Sequence, residues 1–424
     1  MKTSIKELNS YLVGGAVRDK LLGVVPKDKD YVVVGSSVAE MLHLGFKQVG
    51  ADFPVFLHPE TGDEWALART EKKTGQGYTG FTWDSSDSVS LKQDLLRRDL
   101  TINALAISST GEVIEPYVGC IDDVHNKVLR HTSAAFSDDP VRVLRVCRLL
   151  SRYGEGWTIS RKTEYMCDNI VESEEWSHLT AERVWKETEK ALQEKHTDKY
   201  FKQILYNEAV VNFQWFSELA PLCFVPQPVD HHPEGDVLTH TLKSLEQASV
   251  LGASPVEKWA VLCHDLGKAV AYSARGNLYG HEAAGLPPVN SLCDRLKVPN
   301  KYRELALKVC EWHTLCHRAF ELSPKRIVKL FNDLDAFRRP DQLFSFLLCC
   351  EADAKGRGKG EDTTYSRMYY AQKDYLKACY ESCLEVDCNK IANEVRCKDF
   401  NNPGQRIKQL IHQARIKQVK RCIK

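Results

Sequence analysis

Two sets of residues in this 424-residue chain have the types and spacings that chemistry requires. The first lies in YLVGGAVRDKLLGVVPKDKDYVVVG, residues 11–35, where paired glycines (Gly14, Gly15) precede Arg18 and two carboxylates, Asp28 and Asp30. Asp30 opens the apolar run Tyr31 to Val34, which reads as a buried strand, and residues i and i+2 of a strand share a face. Asp28 and Asp30 are therefore expected side by side, and their mutual repulsion calls for a divalent cation. Glycines let the backbone approach a ligand closely, and the helix that follows would aim its amides at an anion. Metal plus phosphate is the chemistry this stretch implies. The second set is His240 in LTHTL, His264 and Asp265 in LCHDLGK, His281 in YGHEAAG, His313 in EWHTL and Asp353 in CEADAKGR. A single histidine on an apolar helix is an ordinary core residue. Such a recurrence, with an adjacent His-Asp on an otherwise apolar helix, is not easily explained as core.

Basic clusters lie between the two sets. In LLRRDLTINALAI, residues 95–107, Arg97 and Arg98 precede a helical pattern in which Leu100, Ala104 and Leu105 face a core. In FSDDPVRVLRVCRLLSRY, residues 136–153, Asp138 and Asp139 stand where an N-cap belongs and Pro140 suits the first turn. Arg142, Arg145 and Arg148 then repeat every third residue.

The elements that must hold these residues divide into an α/β portion and a helical one. Strand and helix patterns mix from residue 11 to about 135: a helical segment at Ser37 to Leu44, extended stretches at Pro54 to His58 and Glu64 to Arg69, then a polar glycine-rich loop, KKTGQGYTGF. From about 150 the pattern is amphipathic helix, as in HLTAERVWKETEKAL (178–192), with Val184, Trp185, Thr188 and Leu192 on its inner face. The last 20 residues hold seven Lys or Arg and no Asp or Glu, which suits either a disordered basic tail or a phosphate-contacting one.

Composition excludes several classes. The chain is 43% apolar and 27% charged with a net charge of +1, ordinary for a globular protein. No apolar run approaches the roughly 18 residues that span a bilayer, and MKTSIKELNS lacks the apolar core of a signal peptide. A cytoplasmic protein without a membrane partner is expected. The 15 cysteines contain no Cys-x-x-Cys pair, and Cys147, Cys263, Cys310, Cys349 and Cys350 fall in apolar helical patterns, so free buried thiols are expected.

Residues 11–35 resemble the head motif of the nucleotidyltransferase superfamily, in the version used by tRNA nucleotidyltransferases (CCA-adding enzymes) and bacterial poly(A) polymerases. RRDxxxNA resembles the second signature of that family, and DDPVR its nucleotide-selecting motif, usually Glu-Asp-x-x-Arg. The His/Asp set resembles the HD superfamily of metal-dependent phosphohydrolases. Together they point to a bacterial tRNA nucleotidyltransferase of the class II, HD-containing, multifunctional kind. The fold implied is an α/β nucleotidyltransferase head with a small mixed sheet, followed by a mostly helical neck, body, HD and tail region. The corresponding boundaries are 1–137, 138–227, 228–335 and 336–424.

The resemblance implies roles for individual residues. Asp28 and Asp30 would hold Mg²⁺, with Glu64 or Glu71 as third carboxylate, while Gly15, Arg18, Arg98 and Arg145 would position the triphosphate. Asp139 and Arg142, an acceptor and a bidentate donor one helical turn apart, would read the Watson–Crick edge of the incoming base. Cytosine and adenine both present an amine beside a ring-nitrogen acceptor. Guanine and uracil present the opposite pattern, leaving groups unpaired at about 1–3 kcal/mol each. Glu182, Arg183 and Lys186 are candidate buttresses. His240, His264, Asp265 and Asp353 would be primary ligands of a divalent transition metal of the Ni²⁺, Co²⁺ or Mn²⁺ type, with His281 and His313 nearby. Members with phosphohydrolase activity commonly carry His-Asp where this chain has His313-Thr314. The expected partners are tRNA, ATP and CTP, for a monomer or homodimer; poly(A) polymerase is the alternative within the superfamily.

Overall fold

The computed structural model describes residues 4–49, 54–73, 75, 81–206, 214–230, 232–358, 364–397 and 401–423. Most of the glycine-rich loop, Thr74 and residues 76–80, lies outside them. The chain forms two compact units, Met1–Glu187 with Tyr206–Val210, and Thr188–Leu205 with Val211–Lys424.

In the first unit the elements run β1 (Asn9–Val13), α1 (Gly15–Leu21), β2 (Asp30–Val34), α2 (Val38–His43), β3 (Lys47–Val49), β4 (Val55–Leu57), β5 (Glu64–Leu67), β6 (Thr70–Lys73), β7 (Phe81–Asp84), α3 (Leu91–Leu96), β8 (Ala106–Ile107), β9 (Val113–Ile114) and α4 (Cys120–His125). After them come β10 (Val128–Leu129), α5 (Val141–Tyr153), β11 (Thr158–Ile159), α6 (Arg161–Glu172) and α7 (Ala181–Leu192). Seven strands form one mixed sheet in the order β3-β4-β5-β2-β1-β8-β9. The run Tyr31 to Val34 is continuously apolar because both faces of β2 are covered. Val33 packs with Met41, Phe56 and Trp65 on one side, and Val32 with Val13, Leu95 and Ala104 on the other. Each buried valine contributes about 1.5–3 kcal/mol.

Three local expectations shift. Strand β2 begins at Asp30, so Asp28 lies in the bend before it rather than within the strand. Arg97 and Arg98 follow a helix instead of preceding one: α3 ends at Leu96, and only a short 3-10 turn, Thr101–Asn103, comes after. The capping box of Ser90 and Gln93 anchors that earlier helix. Helix α5 starts at Val141, after Pro140, and the Asp139 carboxylate accepts the Val141 N–H at 3.2 Å.

The second unit is helical: the end of α7, then α8 (Thr197–Tyr206), α9 (Val237–Val250), α10 (Pro255–Cys263), α11 (Leu266–Arg275), α12 (His281–Arg295), α13 (Asn300–His317), α14 (Pro324–Asp333), α15 (Pro340–Lys355), α16 (Ala371–Leu384), α17 (Cys388–Arg396) and α18 (Pro403–Cys422). Helices α9, α10, α13 and α15 pack on one another around Trp259 and Phe346. Helices α11 and α12 meet through Gly267 and Gly285, where a methyl on Gly267 would strike the Gly285 backbone and the His281 carbonyl. The basic C-terminal stretch is helix α18, not a disordered tail. All 15 cysteines are free, and the five named above are buried.

Candidate functional site

In the first unit, the candidate residues collect where β1 and β2 lie antiparallel, with Val13 opposite Asp30. Gly14 has a φ of 71°, open to glycine at little cost, and its N–H bonds the Leu105 carbonyl at 3.1 Å. A Cβ at Gly14 would stand 3.1 Å from Arg98 Nη1, and one at Gly15 would stand 3.3 Å from Arg18 Nη2. The paired glycines thus make room for two guanidinium groups beside the strand end.

Carboxylates crowd the same end of the sheet. Asp30 pairs in parallel register with Glu64, the first residue of β5. Its side chain reaches solvent, yet its carboxyl is held above the ordinary range: lost hydration is the largest cause, then Glu64, with Asp28 and Asp63 adding and Arg98 opposing. Such repulsion is what a divalent cation relieves, and an all-oxygen donor set suits a hard one. Glu71 is committed elsewhere, to Arg69 at 2.8 Å and Arg97 at 2.9 Å.

The arginines already have partners. Buried Arg18 pairs with Asp19 at 2.8 Å and donates to Asn103, and Asp19 also takes Arg152 at 3.0 Å. Arg98 pairs with buried Asp94 at 3.1 Å, and Arg145 with buried Asp99 at 3.1 Å. Burial raises the Asp99 carboxyl, but Arg145, then Arg142, and hydrogen bonds from Asn103 and the Leu100 N–H hold it down at about 2. Arg142 donates to the carbonyls of Ala135 at 2.8 Å and Arg97 at 2.9 Å. Asp139 accepts from Arg183 at 2.7 Å. The expected base-reading pair is therefore held by internal partners, and Arg183 is the buttress of Asp139. Lys186 is exposed.

In the second unit, His264 is the last-turn cap of α10 and Asp265 the residue before α11. An aspartate there normally accepts a helix N–H. The Asp265 side chain makes no such bond and turns inward instead. Its Oδ2 lies 3.0 Å from His264 Nε2 and 3.9 Å from His240 Nε2, while Oδ1 lies 3.6 Å from both His281 Nε2 and His313 Nε2. Asp353, on α15 and beyond residue 335, adds Oδ1 at 2.9 Å from His240 Nε2 and 3.7 Å from His264 Nε2. All six residues are buried. The four expected primary ligands converge, and His281 and His313 approach Asp265 equally, so Asp265 is shared by two groups of possible donors, one with His240 and His264 and the other with His281 and His313.

The ring orientations suit metal ligation. His264 Nδ1 meets the Val261 carbonyl at 2.6 Å, His281 Nδ1 the Leu278 carbonyl at 2.9 Å, and His313 Nδ1 the Val309 carbonyl at 3.0 Å. His240 Nδ1 stands 2.8 Å from Glu234. Each ring thereby turns Nε2 inward, the arrangement by which outer partners fix a ligating imidazole. Asp265 Oδ1 and His264 Nε2 are buried with no hydrogen bond of acceptable geometry, while Asp265 Oδ2 has the Lys268 ammonium beside it. Buried polar atoms rarely go unpaired, so the site fits a cation. Without one, burial opposes charge on His264, but Asp265 and Asp353 pull its pKa up to about 9; burial likewise opposes Asp265, which His264 and Lys268 hold well below the carboxylate range.

Several participants were not expected from sequence. Glu234 braces His240 and, at 2.9 Å, His232. His317 Nε2 lies 2.6 Å from Asp353 Oδ2, and its Nδ1 lies 2.8 Å from the Tyr370 hydroxyl. Lys268 pairs with Asp265 at 2.7 Å. Two of them had a sequence signal: His317 is one turn after His313, and Lys268 closes HDLGK. Thr314 donates to Glu282 at 2.8 Å. A cleft of about 1240 Å³ opens onto Asp265, His281, His313, His317 and Asp353. Among the described residues, the groups of three donors within 4.8 Å of one another all lie in this unit.

Residues 10–130 match the family described as the Poly A polymerase head domain. The chain is 47% identical over 394 residues to the Multifunctional CCA protein of Mannheimia succiniciproducens, covering 91% of this chain and 92% of the relative. It is 49% identical over 383 residues to the protein of that name from Shewanella frigidimarina, covering 90% and 91%. Its fold is similar to that of a Thermotoga maritima CCA-adding enzyme complexed with tRNA, at 20% identity and a TM-score of 0.59 over 98% of this chain and 88% of that one.

Proposed function

Because the chain belongs to the family of multifunctional CCA proteins, we propose that it completes and repairs tRNA 3′ ends, adding C, C and A from CTP and ATP without a nucleic-acid template. The observation that carries this reading is the meeting of Gly14, Gly15, Arg18, Arg98 and Asp30 at the ends of β1 and β2. The terminal 3′-hydroxyl of tRNA attacks the α-phosphate in line and pyrophosphate leaves. Mg²⁺ held by Asp28 and Asp30, when bound, makes the hydroxyl more acidic and neutralises charge developing on the phosphate. Glu64 is the better third carboxylate, since Glu71 is tied to two arginines. Arg18, Arg98 and Arg145 orient the triphosphate through planar, multidentate donors. Asp139 and Arg142 select the base by giving up Arg183 and the two backbone carbonyls.

The second unit is assigned a metal-dependent phosphohydrolase acting on 2′,3′-cyclic phosphates and 2′-nucleotides. Its imidazole-rich donors suit Ni²⁺, Co²⁺ or Mn²⁺. Thr314 turns to Glu282, so its presence leaves the inward donors intact. From work on tRNA we infer a cytoplasmic location; no described helix is long and apolar enough to cross a membrane.

The test is to incubate tRNA lacking its CCA with single nucleotides and Mg²⁺, then sequence the new 3′ ends. CTP alone is expected to add two residues, and ATP one more. Long A tracts from ATP alone would establish the poly(A) polymerase reading instead.

A further inference from the structure

We propose that Tyr279 and Arg357 are the substrate-reading pair of the histidine-lined cleft, Arg357 taking the phosphate of a nucleotide and Tyr279 stacking on its base. This rests on the phosphohydrolase reading of the same site. Both residues line the cleft. Tyr279 is 85% exposed although it stands two residues before His281 in a turn that fixes its backbone. Its N–H donates to Asn277 Oδ1 at 3.1 Å, its carbonyl accepts from Arg275, and Gly280 follows at a φ of 72°. An aromatic ring carried on a fixed backbone and left in water at the edge of the cleft offers a face to a base, and every base has a face to offer.

Arg357 follows the end of α15, four residues after Asp353. It is half-buried, its Nε has no hydrogen-bond partner, and no carboxylate among the described residues pairs with it. Of the other cations lining the cleft, Lys268 is engaged by Asp265 and Gln227, Arg318 by Glu321, and Arg326 is exposed rather than half-buried. Burial is the largest cause of the low pKa values of His232 and His317, and the Arg357 charge is close enough to add to both. A half-buried guanidinium without a counter-charge, this near the metal donors, matches a phosphate. In the reaction, water adds to phosphorus, the bond from phosphorus to the ribose 2′-oxygen breaks, and a proton passes to that oxygen.

The test compares adenosine 2′-monophosphate with glycerol 2-phosphate, a monoester lacking a base. Binding to the full-length protein without added metal is measured by calorimetry, and KM and kcat with Mn²⁺ or Ni²⁺ present. Tyr279→Ala is expected to weaken the nucleotide about tenfold and leave glycerol 2-phosphate unaffected, with kcat held and Tyr279→Phe restoring the preference. Arg357→Ala is expected to weaken both ligands alike, by about tenfold or more. Equal effects of Tyr279→Ala on the two ligands, or no effect of Arg357→Ala, would overturn the proposal. Wild-type protein that binds the nucleotide with this preference but hydrolyses neither ester would count against the phosphohydrolase reading while supporting the binding pair.

Discussion

The two sites handle their polar groups in opposite ways. In the head, Arg18, Arg98 and Arg145 each hold an aspartate, Asp139 holds Arg183, and Arg142 holds two carbonyls. In the helical unit, His264, His281 and His313 place Nδ1 against backbone carbonyls, and Nε2 of each faces an Asp265 oxygen without a hydrogen bond of acceptable geometry. In the first arrangement any arriving ligand competes with partners already present. The second gathers buried donors whose chemistry fits a cation.

The largest effect expected from this contrast is at Asp30. Asp30→Ala should lower nucleotide addition by about 10³-fold or more in a primer-extension assay. Because its carboxyl is crowded by Glu64, Asp28 and Asp63, the variant should unfold without Mg²⁺ at a temperature no lower than wild type. A fall in that temperature would mean that Asp30 serves the fold. Next comes His264→Ala, which should reduce metal content by atomic absorption and phosphohydrolysis about 100-fold while CCA addition persists. Joint loss of both activities would erase the distinction between the sites.

The smallest effect concerns the internal pairs of the head. Asp99 has a folded pKa of about 2, below its unfolded value, so its contribution is complete above about pH 4 and disappears as pH falls towards 2. Asp99→Asn should therefore cost the head about 2 kcal/mol at pH 7. The difference from wild type in denaturant melts should close in acid. A gap independent of pH would show that packing, and not charge, links Asp99 to Arg145.

What could be read from sequence was whatever depends on local spacing. Gly14-Gly15, the start of β2 at Asp30, and the inner face of α7 at Val184, Trp185, Thr188 and Leu192 follow from turn chemistry and periodicity, and all four of those α7 residues are buried. Residue type drew attention to the recurring His and Asp, the resemblance to the HD superfamily singled out His240, His264, Asp265 and Asp353, and the fold brings these four together. Partnership over long separations was not legible. Nothing around Arg142 announces that carbonyls at Ala135 and Arg97 will absorb its donors. Glu234 looks like one loop acid among many until His240 is folded against it. The position of Asp28 shifted for a different reason: strand alternation was extended one step past the point where the ladder with β1 begins, although Asp28 stays near enough to Asp30 to raise its pKa.

The contact between Gly267 and Gly285 bears on how much the histidine site tolerates drift. Two backbones in touch leave no side chain between them to shrink, swap or rotate. The separation of Asp265 on one segment from His281 on the other is thus inherited from main-chain geometry, and substitutions in the surrounding apolar packing will scarcely alter it. The same rigidity makes the joint brittle, because a single added methyl has nowhere to go except into the His281 carbonyl. Robust to many changes and intolerant of one, the helix crossing acts as a gauge block for the ligands it carries.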